Sequence, residues 1–86
     1  MEELELYRKR VDQVDDVILK ALCERVKICM AIGLVKKKRG MPVKDVSREN
    51  EVYKRVKEKS AEFGLDSLQV EAVYREIVNM CSVVQE

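Results

Sequence analysis

LELYRKRVDQVDDVILKALCERVKICMAIGLVKK, residues 4–37, decides how this chain folds. The stretch has no proline, and its first glycine is Gly33. Leu4, Tyr7, Val11, Val14, Ile18, Ala21, Ile28, Ile32 and Val35 recur at alternating steps of three and four. That spacing keeps apolar side chains on one stripe of an α-helix and predicts a single long amphipathic helix. One seam position is anomalous, because Arg25 stands where an apolar residue belongs. Lys36, eleven residues on, lies about 20° round the helix from it. At about 1.5 Å per residue the helix is roughly 50 Å long. A compact globule of 86 residues has a radius of gyration of only about 12 Å. Such a helix overshoots a compact monomer, and its stripe needs another chain to cover it. The expectation is a homodimer with the long helices packed together.

Outward from this stretch the chain is punctuated clearly. Gly40 and Pro42 close the first helix and open a loop. Asp45 and Ser47 are both N-cap candidates for a second helix running to about Phe63, with Gly64 as its C′ residue. Val52, Val56, Ser60 and Phe63 mark its inner face with Tyr53 alongside, and Glu49 falls on that same face. Asp66 caps a third helix, with Gln69 placed for a capping box and Leu65 and Val70 for a hydrophobic staple. Val70, Val73, Tyr74, Ile77, Cys81 and Val84 form its stripe, with Gln85 on or near the buried face. The fold class is therefore all-α: one domain over residues 1–86, with three helices, long, short and medium, in a homodimeric bundle.

Composition narrows the function. A net charge of +1 exerts no global pull toward nucleic acid or a membrane surface. Histidine is absent, which removes it from any acid/base or metal role. The basic run Lys36–Arg39 reads chiefly as a solvated helix end whose charge suits the dipole. Cys23, Cys29 and Cys81 are an odd number without a C-x-x-C pair. They read as reduced thiols of a cytosolic protein, packed as small hydrophobes. The N-terminus does not resemble a signal peptide, and no apolar run reaches membrane length.

Arg25, Lys36, Glu49 and Gln85 all break the apolar pattern of their helices. A buried charge is costly unless paired or hydrogen-bonded. One reading is an internal salt bridge between Arg25 or Lys36 and Glu49. The other is a pocket for a small anion, since cations outnumber acids on the inner faces and Arg48 adds one more. Arg8 flanks the same seam but lies 17 residues from Arg25, roughly 25 Å along the axis. Antiparallel pairing of two long helices would bring Arg8 of one chain level with the far half of its partner, giving two shared pockets per dimer. With no nucleophile–base pair, metal-ligand cluster or glycine-rich phosphate loop, chemistry here runs by positioning and electrostatics, without cofactor or metal.

The sequence resembles the all-helical chorismate mutases of the bacterial and archaeal type over nearly its whole length. The resemblance is carried by Arg8 with the V-D-Q-V-D stretch after it, A-L-C-E-R ending at Arg25, I-G-L-V-K ending at Lys36, P-V-K-D-V-S-R-E from Pro42 to Glu49, and Gln85. It implies an intertwined dimer of three-helix chains that rearranges chorismate to prephenate, on the shikimate route to phenylalanine and tyrosine. It further implies that Arg25, with Arg8 from the partner subunit, holds the two carboxylates. Lys36 and Gln85 would hydrogen-bond the ether oxygen. Glu49 and the backbone at Asp45 would hold the ring hydroxyl, and Arg48 would support the site. Relatives usually carry serine or asparagine four residues before the glutamine; here that position is Cys81, a weaker donor, with Ser82 beside it. Two rival readings are an isochorismate pyruvate lyase on the same fold, against which Glu49 argues, and a non-enzymatic helical dimerisation module whose buried charges set register.

Overall fold

A computed structural model describes residues 1–86, in the order α1 (Glu2–Lys38), α2 (Val46–Glu62) and α3 (Ser67–Gln85). The chain is all-α, as its periodicity requires. Each boundary has a local cause. Glu2, Glu3 and Glu5 occupy the first turn of α1, and Lys36, Lys37 and Lys38 its last, matching the helix dipole at both ends. Gly40 takes φ +66° and lets the chain reverse: its N–H donates to the Lys37 carbonyl, and the Met41 N–H to that of Lys36. Gly64, at φ +70°, ends α2 the same way through Ala61 and Ser60. Both are Schellman caps, which need a residue tolerant of left-handed backbone.

Of the two cap candidates for α2, Asp45 serves: its carboxylate accepts from the Arg48 N–H at 3.0 Å, and Ser47 lies inside the helix. Asp66 accepts likewise from the Gln69 N–H at 2.9 Å.

α3 packs against both α1 and α2, and the thin core lies along it. Tyr53, Val56 and Ser60 of α2, Val78 of α3 and Cys29 and Gly33 of α1 are the buried residues. Ser60 returns its hydroxyl to the Lys57 carbonyl at 2.7 Å, so its burial leaves no unmet donor. Lys57 pairs with Glu71 at 3.2 Å, and the Arg75 guanidinium sits 4.4 Å from the Tyr53 ring centre, tying α2 to α3 at the outer edge. Face assignments shift in both α2 and α3. Phe63 is 76% exposed and Val73 59%, while Val78, outside the expected stripe, is buried. Periodicity locates a helix's apolar sector but not which edge of it a neighbour covers.

The cysteine reading is overturned more sharply. Cys29 and Cys81 form a disulfide joining α1 to α3, with Cα atoms 5.2 Å apart, and only Cys23 is a free, exposed thiol. The odd count concealed a pair separated by 52 residues, which linear spacing does not reveal. Thiols therefore no longer argue for a reducing compartment. No helix is long and apolar enough to cross a membrane.

The N-terminal half of α1 projects from this packing. Leu4, Tyr7, Val11, Val14 and Ile18 are each at least 41% exposed. The chain measures 57 × 24 × 15 Å with a radius of gyration of 16.2 Å.

Candidate active site

The cleft between the C-terminal half of α1, the start of α2 and the end of α3 has a volume of about 460 Å³. Arg25, Cys29, Ile32 and Lys36 enter it from α1 at successive three- and four-residue steps. Asp45 caps α2 at its rim, and Arg48, Glu49 and Val52 line it from the first turns of that helix. Cys81, Ser82 and Gln85 close it from α3. Of the eight residues singled out in the sequence, seven are therefore brought together: Arg25, Lys36, Asp45, Arg48, Glu49, Cys81 and Gln85. Arg8 is not among them; it lies on the exposed projecting half of α1.

The internal salt bridge of Arg25 or Lys36 with Glu49 does not form. Glu49 pairs instead with Lys44 at 3.1 Å, and Arg48 with Glu51 at 3.3 Å. Lys36 donates from Nζ to the Val43 carbonyl at 2.7 Å, a neutral acceptor. Arg25 reaches only Cys29 Sγ, at 3.9 Å. Both half-buried cations thus face the cleft without a carboxylate partner. The positive end of α2 opens on the same space, and its Asp45 carboxylate is engaged by the cap. The field in the cleft favours an anion.

Gln85 is the remaining polar group. Its Nε2 donates to Cys81 Sγ at 3.1 Å, while Oε1 is buried without a hydrogen-bond partner. A buried unsatisfied amide oxygen costs about 1–3 kcal/mol. Such a residue is tolerated where a ligand or moving donor completes it. Two contributors escaped sequence reasoning: Cys29, as a covalent partner of Cys81, and Gly33, whose missing side chain admits Gln85. The only linear signal is that Cys29 and Gly33, like Cys81 and Gln85, are four residues apart.

The fold and cleft together define an all-helical protein with two unpaired cations and an amide converging on one cleft, an arrangement suited to a small anion. More specifically, residues 7–86 match the family described as chorismate mutase type II, and the chain belongs to that family. It is 36% identical over 84 residues to a bifunctional chorismate mutase/prephenate dehydratase of Aquifex aeolicus, covering 94% of this chain and 23% of that protein. The chain thus matches less than a quarter of that longer relative. It is 32% identical over 66 residues to a chorismate mutase of Methanocaldococcus jannaschii, covering 77% of this chain and 67% of that one. A solved structure, a conserved hypothetical protein from Pyrococcus furiosus, superposes with a TM-score of 0.79 at 30% identity, covering 100% of this chain and 99% of the other.

Proposed function

We propose that this chain is a chorismate mutase, an isomerase that rearranges chorismate to prephenate in phenylalanine and tyrosine biosynthesis, working as a homodimer without a cofactor. The observation that carries the reading is the pair of unpartnered cations, Arg25 and Lys36, facing one cleft with the Gln85 amide. The substrate has two carboxylates, a ring hydroxyl and an ether oxygen on which negative charge grows as the C–O bond breaks. Arg25 takes one carboxylate. Lys36 Nζ and Gln85 Nε2 donate to the ether oxygen, Lys36 exchanging or sharing its Val43 contact. Glu49 and the backbone at Asp45 receive the ring hydroxyl, with Arg48 supporting the second carboxylate.

The reaction is unimolecular and needs no proton transfer. Binding both carboxylates at once selects the compact conformer in which the reacting carbons approach, an orientation effect. Preorganised donors at the ether oxygen then stabilise the transition state more than the ground state.

The uncovered stripe on α1 supports the dimer. Reversing one copy against another aligns Leu4 with Ile28, Tyr7 with Arg25, Val11 with Ala21, and Val14 with Ile18, so seam positions meet seam positions. In that heptad register Arg8 of the partner comes level with Arg25 and adds a further cation to the cleft. An isologous two-fold contact makes two such sites.

Following chorismate consumption by the purified chain, with product identification, tests the reading. Prephenate is expected. Pyruvate release from isochorismate would assign the lyase instead. Failure to bind a cyclic dicarboxylate transition-state mimic would leave a dimerisation module.

A further inference from the structure

Two contacts, one helical turn apart, fix the end of α3 to α1. The first is the Cys29–Cys81 bond. The second is Gly33 against Gln85, where a Cβ on the glycine would fall 2.9 Å from Gln85 Cα. Because each pair advances by four residues, the two helices run in the same direction here and the contacts stack like rungs. Gln85 is the last residue of α3, where helices fray. The cross-link one turn earlier therefore holds the residue that the cleft would otherwise hold least firmly.

Hydrogen-bond chemistry adds to this. A disulfide sulfur has no hydrogen and only accepts, whereas a thiol also donates weakly. The bonded Cys81 sulfur thus selects the amide orientation with Nε2 upon it. A free thiol would donate to Oε1 as well, so the amide could turn over and present its oxygen where a donor is required.

We propose that the Cys29–Cys81 disulfide is a positioning element for Gln85, and that its reduction lowers turnover by releasing both the helix end and the amide. The proposal rests on the mutase reading, in which Gln85 donates to the ether oxygen. Reduction by a dithiol is balanced: the sulfur–sulfur bond takes two electrons, each sulfur takes a proton, and the dithiol departs as its own cyclic disulfide.

The test compares the oxidised Cys23→Ser protein with the same protein held in dithiothreitol, thiol titration confirming two free thiols and far-ultraviolet circular dichroism confirming retained helix. Cys23 is exposed and outside the cleft, so its removal only prevents exchange. Reduction is expected to lower kcat about tenfold or more, a partial loss of one transition-state donor. KM is expected to change by less than about threefold, because Arg25 keeps its place on α1 and the sulfur of a reduced Cys29 still accepts its long, weak contact. In Gln85→Ala the same reduction should change kcat by less than about twofold, since the group being positioned is gone. Unchanged kcat on reduction, or an equal fall in Gln85→Ala and its parent, would overturn the proposal while leaving the mutase reading standing. No turnover of chorismate by the oxidised protein would overturn both. Should the reduced protein lose its helical signal, Cys29→Ala, which unties α3 and frees the Cys81 thiol, takes its place in the same comparison.

Discussion

Lys36 shows how one residue can be poised for the proposed chemistry. Its Nζ is held at 2.7 Å by the Val43 carbonyl, which orients the ammonium without neutralising it. A single preorganised donor at developing negative charge is worth about 2.7–4 kcal/mol of barrier. Lys36→Ala should therefore lower kcat about a hundredfold or more, with the helical signal retained; near-normal turnover would remove Lys36 from the mechanism. Gly33 makes the complementary case, a residue that acts by having no side chain. An added methyl meets Gln85 backbone at 2.9 Å, and backbone cannot rotate away as a flexible side chain can. Overpacking of this kind costs about 1–3 kcal/mol, offset by a helix-propensity gain of about 1 kcal/mol. Gly33→Ala should leave the denaturation midpoint unchanged or lowered and reduce kcat through displacement of Gln85. Full activity together with increased stability would show that the last turn of α3 shifts without consequence.

Among the elements, those with chemical punctuation were legible in the sequence. Asp45 and Asp66 cap helices because a carboxylate accepts an otherwise unpaired N–H, and Gly40 and Gly64 end them because left-handed backbone suits glycine. The cleft was legible for a related reason: Arg25, Lys36, Glu49 and Gln85 violate apolar faces, and such violations gather where a ligand is expected. What links one element to another was not legible. The Cys29–Cys81 bond joins residues 52 apart, and Phe63 and Val78 exchange the burial that periodicity assigns them. These depend on how helices are rotated against each other. A cross-link closing a loop of that length restricts the unfolded chain by about 4 kcal/mol on the chain-entropy description. Reductant should accordingly lower the denaturant midpoint at fixed protein concentration, and an unchanged midpoint would mean the bond contributes nothing to stability.

At the level of the whole molecule, shape carries the argument. A radius of gyration of 16.2 Å against about 12 Å for a compact chain of this length reflects the projecting half of α1. Leu6, Tyr7, Val11, Val14 and Ile18 are each at least 50% exposed there, and a cluster of exposed large apolar side chains on one helix is the kind of surface that another chain covers. Solution mass should therefore be twice the 10.0 kDa of one chain. A mass of one chain would leave Arg8 with no cleft to enter. Dimerisation and activity are coupled in this account, because the projecting helix carries to its partner a cation that its own cleft cannot use.

That coupling is tested most directly by mixing Arg8→Ala with Arg25→Ala, each strongly impaired alone, after verified subunit exchange. A hybrid dimer would hold one site with both arginines and one with neither, so random exchange should restore activity to about a quarter of wild type. Activity no higher than that of the separate variants would contradict a cleft built from two chains.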